Sequence, residues 1–342
     1  MWRDAWRTSA AGVLQPVREE LPALGAHEVR VQVTAVSLNF RDRVVVNGGW
    51  GREPLIGRVP FTDAVGVVTE VGAAVTRFQP GARVCTTVLP RWLDGPLTEA
   101  GWEASPGSRR RDGVMASHLQ WHEDELVLAP PHLDDHEAST LTIAALTAWH
   151  AVVELGALKA GDTVLVQTTG GVATFAIRFA AALGAKVIVV SRSAEKLALA
   201  RLQGATATLD STVTPEWQDE VRRLTEGRGA QLVLDMGLDD GLRRAIAATA
   251  VEGTIAIIGV VQVLTAPLDI FPVMNGNLRL RGVETGSRAM FERMTQFMVA
   301  RNLHPVIERV YPASEWADAL RALEQAPFGK IVLDLGTSAA SS

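Results

Sequence analysis

Residues 163–193 read TVLVQTTGGVATFAIRFAAALGAKVIVVSRS, and the order of patterns within them decides the fold. TVLVQ (163–167) is a short apolar run of the kind a buried strand requires. Val172, Phe175, Ala176, Phe179, Ala180 and Leu183 then recur every three or four residues and line one face of an α-helix over 172–183. KVIVV (186–190) is a second strand. The turn between the first strand and the helix reads Thr168-x-Gly170-x-x-Ala173, to be compared with the G-x-G-x-x-G/A turn of dinucleotide sites. Gly170 holds the middle place, where the lack of a side chain lets a pyrophosphate approach the backbone. Alanine is accepted at the third place, and Thr168 departs at the first. N–H groups near Gly171 and Val172 would face a phosphate with the helix dipole behind them. Taken alone, the turn leaves an ordinary strand–turn–helix open.

The second strand carries further information. An NAD-specific site places an acid about 20 residues after the glycines, on the ribose 2′-hydroxyl. Here the strand ends in Ser191-Arg192-Ser193, with Lys196 following. A carboxylate would repel a 2′-phosphate, whereas a hydroxyl and a guanidinium bind one. These residues predict NADPH; the other reading of Arg192 is a plain surface charge.

The same alternation runs on through QLVLDM (231–236), TIAIIGV (254–260) and LRLRGV (278–283), with helices between, which predicts a doubly wound parallel sheet. Before it, LTIAALTAWHAVVEL (141–155) reads as one helix. The first 130 residues are different. VRVQVTAVSL (29–38), AVGVVTEVG (64–72) and ARVCTTVL (82–89) are β-rich and separated by Gly/Pro turns. A long polar stretch spans 90–113. The expected class is α/β, a doubly wound sheet plus a separate β-domain.

Composition excludes several functions. The 342 residues are 47% hydrophobic and 21% charged, with a formal net charge of −5, so nothing favours nucleic acid or a membrane surface. Cys85 is the only cysteine, so neither a disulfide framework nor a cysteine-based zinc site can be built. His132, His136 and His150 lack the spacing of a metal cluster. No apolar run reaches membrane-span length and the N-terminus lacks a signal-peptide core, so a cytoplasmic protein is expected. The tail GTSAASS is expected to be disordered.

AVSLNFRD (35–42), PFTDAVGVVTEVG (60–72), FQPGARV (78–84), EASTLTIAALTAWHAV (137–152), LKAGDTVLVQTTGGVATFAIRFAAALGAKVI (158–188) and FGKIVL (328–333) occur in one order along the chain. Together they resemble the medium-chain dehydrogenase/reductase superfamily, and most closely its zinc-free, quinone-oxidoreductase-like branch, within which LPRWLDGPLT (89–98) and VETGSRAMFE (283–292) resemble a bacterial subgroup commonly labelled NAD(P)-dependent alcohol dehydrogenase. The resemblance covers nearly the whole chain. It implies a GroES-like catalytic domain (1–128), a Rossmann domain (129–283), and a return segment (284–342) that completes the first domain. It places the active site in a cleft between the two and implies a homodimer, with 278–283 as the expected interface strand. Zinc members carry a cysteine where this chain has Asn39, a Gly-His-Glu triplet where it has Phe61-Thr62-Asp63, and a third ligand near Ile143. No metal is therefore expected.

The resemblance also implies site residues. Asn39, Arg41, Asp42 and Asp63 are the catalytic candidates. Asn39 is expected to face substrate or the nicotinamide ribose, Arg41 and Asp42 to pair or to anchor their loop, and Asp63 to pair with an arginine. Thr147, Met236, Gly237, Gly259, Val260 and Lys330 join Thr168, Gly170, Gly171, Val172, Ser191, Arg192 and Lys196 as cofactor contacts, Lys330 near the phosphates. Trp50 and Trp92 are expected to line an apolar pocket for a small-molecule substrate. Without a Lewis acid, hydride delivery to a quinone or an α,β-unsaturated carbonyl is easier than to an isolated carbonyl, because the charge spreads into a hydroquinone or enolate. Alcohol or aldehyde oxidoreduction, a pathway-specific biosynthetic reductase and a non-catalytic NADPH-binding protein stay open.

Overall fold

A computed structural model describes residues 1–49, 53–103, 105–259 and 261–336. Trp50, Val260 and most of the tail fall outside these residues, and so do the expectations attached to them. In chain order the strands are β1 (Trp2–Ala10), β2 (Val13–Glu20), β3 (Glu28–Leu38), β4 (Asp63–Val71), β5 (Arg83–Thr86), β6 (His118–His122), β7 (Leu126–Leu128), β8 (Thr163–Gln167), β9 (Lys186–Ser191), β10 (Ala207–Asp210), β11 (Ala230–Asp235), β12 (Thr249–Ile257), β13 (Arg279–Gly282), β14 (Ile307–Pro312) and β15 (Lys330–Asp334). Four helices matter below: α1 (Phe40–Asn47), α2 (Gly171–Ala182), α3 (Ala194–Leu202) and α4 (Ile270–Asn275). The chain divides into two units, one formed by residues 1–146 and 285–342, the other by residues 147–284.

The second unit holds a six-stranded sheet in the order β10-β9-β8-β11-β12-β13, every pairing parallel. β8 is buried along its whole length, as a strand covered on both faces must be. Helix α2 buries Ala173, Phe175, Ala176, Ile177, Phe179 and Ala180. The order runs outward from β8 to β10 and then restarts at β11, so the topological switch lies between β8 and β11. In such sheets ligands bind beyond the carboxyl ends of the strands at that switch.

The first unit is built on the sheet β14-β15-β3-β4-β5-β7, with β6 also pairing β3. The C-terminal strand β15 lies antiparallel to β3, from Ile331 opposite Leu38 to Asp334 opposite Ala35. A separate β1–β2 hairpin was not legible as strands. Its residues are mostly polar, and it is held by ion pairs of Arg3 and Arg7 with Glu19 and of Arg7 with Asp112.

Two expectations change. Residues 129–146 belong to the first unit rather than the second. Thr142 Oγ1 donates to Thr86 O at 2.8 Å, and the Ile143 N–H is 3.3 Å from Asp63 Oδ2. Composition shifts near 129, but tertiary contact carries the unit on to 146. The helix expected over 141–155 is helical but uneven. An α-turn at Leu146–Trp149 is flanked by wider π-helical turns at Leu141–Ala145 and His150–Leu155. Such turns cluster at functional sites.

Candidate functional site

In the second unit the β8–α2 turn has the shape its residues only partly announce. Thr168 adopts φ +69°, the left-handed conformation usually given to glycine, and its N–H reaches Val190 O at 2.8 Å. Backbone geometry is thus kept while the residue type is not. Gly170 is the helix N-cap, and a Cβ placed there would meet nothing within 4 Å. The protein itself does not need that glycine; the open space suits a ligand approaching the backbone. No side chain caps the start of α2, which leaves Gly171 and Val172 N–H groups for an anion.

Holding a β-branched residue in the left-handed region costs about 1–2 kcal/mol, partly offset by the greater freedom glycine has when unfolded. Thr168→Gly is therefore expected to raise stability by roughly 0.5–1 kcal/mol. Urea unfolding with an unchanged slope would show it; a loss of stability would mean the hydroxyl or methyl makes up the difference.

Ser191 ends β9, Arg192 follows it exposed, and Ser193 caps α3 by accepting from the Lys196 N–H at 3.3 Å. Among the described residues the Arg192 guanidinium has no ion pair or hydrogen bond. Gln167 and Asp235, which sequence reasoning missed, close the two strands at the switch. Gln167 Oε1 accepts from the Met236 N–H at 3.1 Å, and Nε2 lies 3.4 Å from Gly241 O. Asp235 is buried, which holds its carboxyl above the usual range against the Gln167 hydrogen bond, and its Oδ1 has no partner among the described residues. Gly237 follows β11 in the left-handed conformation. The Gly259 N–H, beyond β12, lies 3.3 Å from Asp235 O. Thr147 is buried on the helical segment. The spacious Gly170, the uncapped helix start and the acid-free end of β9 together fit a dinucleotide.

In the first unit Asn39, Arg41 and Asp42 stand at the end of β3, where α1 begins instead of the expected loop. Asn39 is its N-cap, and its N–H donates to Asp42 Oδ2 at 2.7 Å, the reach-back arm of a capping box. Arg41 does not pair with Asp42. Its guanidinium donates to Ser105 Oγ at 3.0 Å and lies 3.3 Å from Pro106 O, anchoring the 90–113 segment. Among the described residues Asp63 does not pair with an arginine. Its partner is Lys330, with Nζ 3.9 Å from Oδ2.

Lys330 is the largest correction. It is 3% exposed and lies inside the first unit. Its ammonium donates to Leu38 O at 2.7 Å and to Asn39 Oδ1 at 2.6 Å. Thr62 Oγ1 lies 3.3 Å from Asp42 Oδ1. Asn39, Asp42, Asp63, Thr62 and Lys330 thus form one buried polar cluster. Burial raises the Asp63 carboxyl to about 7, against the pull of Lys330. Burial also raises Asp42 and lowers Lys330. Asn39 is 8% exposed, and Lys330 already occupies its carbonyl oxygen, so that oxygen is not free for a ligand.

Phe61 precedes Thr62 at φ +70° and is fully buried. That is a left-handed conformation usually given to glycine, and a Cβ on Gly113 would lie 2.1 Å from the Phe61 carbonyl oxygen. Trp92 does not line an open pocket. It is 5% exposed, packs with Val88 and Leu89, and donates Nε1–H to Gly95 O at 2.7 Å. Zinc does not fit the three family ligand positions. They offer an amide already bonded to lysine, a hydroxyl and an alkyl chain, and no group of three metal-binding side chains exists among the described residues. Cys85 lies in β5, its thiol toward Ala138 O, and burial raises its pKa.

The profile of the alcohol dehydrogenase GroES-like domain matches residues 25–131, and that of the zinc-binding dehydrogenase family matches 171–300. A zinc-type alcohol dehydrogenase-like protein of Schizosaccharomyces pombe is 36% identical over 330 residues, covering 94% of this chain and 95% of that protein. The chain is a medium-chain dehydrogenase/reductase. A crystal structure of an alcohol dehydrogenase candidate from Sinorhizobium meliloti 1021 superposes with TM-score 0.92 at 38% identity, over 98% of this chain and 99% of that one. A mycocerosic acid synthase-like polyketide synthase of Mycobacterium tuberculosis is 28% identical across 93% of this chain, which spans 14% of that protein. Membership makes the chain an oxidoreductase of a superfamily whose dehydrogenases use nicotinamide cofactors. No helix among the described residues is long and apolar enough to cross a membrane.

Proposed function

We propose that this chain is a zinc-independent, NADPH-dependent oxidoreductase that reduces a quinone or an α,β-unsaturated carbonyl by hydride transfer. The observation that carries the reading is the residue set at the family's metal positions: Asn39, Thr62 and Ile143, with the Lys330 ammonium seated 2.6 Å from Asn39 Oδ1. A site without a Lewis acid favours acceptors that delocalise the charge left by hydride. Gly170, Gly171 and Val172 would hold the pyrophosphate, and Ser191, Arg192 and Lys196 the 2′-phosphate. Thr147, Gly237 and Gly259 are proposed cofactor contacts. NADPH when bound supplies the hydride.

NADPH oxidation after exhaustive chelation, measured on panels of quinones and enones, is the test. Turnover with at least one class and no stoichiometric zinc is expected; zinc-dependent activity confined to alcohols would end the reading. Alcohol or aldehyde oxidoreduction is the second reading, favoured by the names of the Schizosaccharomyces pombe and Sinorhizobium meliloti relatives. The polyketide synthase relative keeps a biosynthetic reductase within reach.

We also propose a homodimer through the β13 edge. β13 pairs only with β12 among the described strands, and Ile270, Phe271 and Met274 on the adjoining α4 are exposed. Ile270→Asp/Phe271→Asp is expected to shift the chain from dimer to monomer by light scattering. A monomeric wild type, or an unaffected dimer, would refute this interface.

A further inference from the structure

We propose that Lys330 is a built-in cation seated where metal-binding relatives place zinc, and that it positions Asn39 rather than holding the nucleotide's phosphates. The inference deepens the zinc-free reading above and rests on it.

Each of the three family ligand positions lies one polar contact from the same cluster. Asn39 Oδ1 accepts from Lys330 Nζ at 2.6 Å, Thr62 Oγ1 lies 3.3 Å from Asp42 Oδ1, and the Ile143 N–H lies 3.3 Å from Asp63 Oδ2. Lys330 Nζ is 3.9 Å from that same Asp63 oxygen and 2.7 Å from Leu38 O. One buried ammonium therefore faces the Asp63 carboxylate, an amide oxygen and a main-chain carbonyl. Asp42 and Asp63 are both buried; the Arg41 and Lys330 charges both favour the Asp42 carboxylate, and Lys330 is the cation that pairs with Asp63. An unpaired buried carboxylate is costly, so a fixed cation here is a requirement of the fold. A lysine meets it with three donors on a flexible stem and no demand for thiolate or imidazole ligands.

The arrangement also assigns each end of the Asn39 amide. Its oxygen is held by Lys330, so the Nδ2 end faces the carboxylates and hydrogen-bonds Asp63. Its distance to Asp42 Oδ2, 3.4 Å, is long for a strong bond. Lys330 thus orients the Asn39 amide. A lysine with both roles cannot also extend into solvent to meet a phosphate.

Three measurements on the full chain test this. Affinity for NADPH without substrate, by titration calorimetry, is expected to stay within about twofold in Lys330→Met/Asp63→Asn, where the pair is removed together; a phosphate-binding lysine would cost about tenfold or more. Turnover of the same variant is expected to fall by about tenfold or more with the NADPH KM unchanged, because the Asn39 amide is released. Zinc content, by elemental analysis after zinc dialysis, is expected to be substoichiometric in Asn39→Cys/Thr62→His/Ile143→Cys and stoichiometric once Lys330→Met is added. Weakened NADPH binding, unchanged turnover, or full zinc loading with Lys330 in place would each overturn the proposal. A wild type that binds no NADPH would instead sink the proposed function, and the zinc comparison would still decide the place of Lys330.

Discussion

Arg192→Asp is expected to reverse the coenzyme preference, weakening NADPH by about ten- to a hundredfold while leaving NADH nearly unchanged or slightly improved. The guanidinium is exposed at the end of β9, and no protein group among the described residues competes for it. A charge-assisted hydrogen bond to a phosphate contributes about 1.5–3 kcal/mol, and reversing the charge adds repulsion of the 2′-phosphate. The introduced carboxylate can instead accept from a 2′-hydroxyl, as acids at this place do. Dissociation constants for both coenzymes, measured by fluorescence at two salt concentrations, decide the matter. The NADPH constant should lose salt dependence in the variant. Equal NADPH affinity in wild type and variant would leave Arg192 as an ordinary surface charge.

Asp63→Asn is expected to gain stability relative to wild type as pH rises, by on the order of 4 kcal/mol between about pH 4 and about pH 8. Burial lifts the Asp63 carboxyl from its ordinary 3.8 to about 7, so between those values the folded chain holds a proton that the unfolded chain has released. The associated stability is fully present below the unfolded value and lost as pH rises through about 7. Asp42 is raised by burial and acts in the same direction. Lys330 is lowered by burial and acts in the opposite sense. Its contribution is present above the ordinary lysine value and lost as pH falls toward its folded value. Asparagine cannot ionise, so the variant escapes the Asp63 penalty. Urea unfolding at a series of pH values measures the difference. A difference independent of pH would mean that Lys330 keeps Asp63 ionised throughout.

Which parts of this were legible follows from the range of the forces involved. β8, α2 and β9 announce themselves because strands covered on both faces must be apolar throughout and a helix packing on them must be apolar every third or fourth residue. The start of α1 is also in the sequence, in the Asn39-x-x-Asp42 spacing, but that spacing shows its capping role only once the backbone turns there. The β1–β2 hairpin had no apolar alternation to betray it. Trp92 looked like pocket lining because loop aromatics often are; its burial against Val88 and Leu89 depends on how the 90–113 segment folds back.

The residues of this chain by themselves determined a parallel sheet, a strand–turn–helix with Gly170 at its bend, the lack of an acid at 191–193 and the lack of cysteine or histidine at Asn39, Thr62 and Ile143, since each is a local pattern or a residue identity. Only the tertiary structure decided that Thr168 and Phe61 adopt the left-handed backbone usually given to glycine. It alone brought Lys330, 291 residues distant along the chain, onto Asn39. Backbone conformation at a turn and the partner of a buried charge are set by surrounding packing and by the need to compensate charge away from water, and neither leaves a period in the sequence.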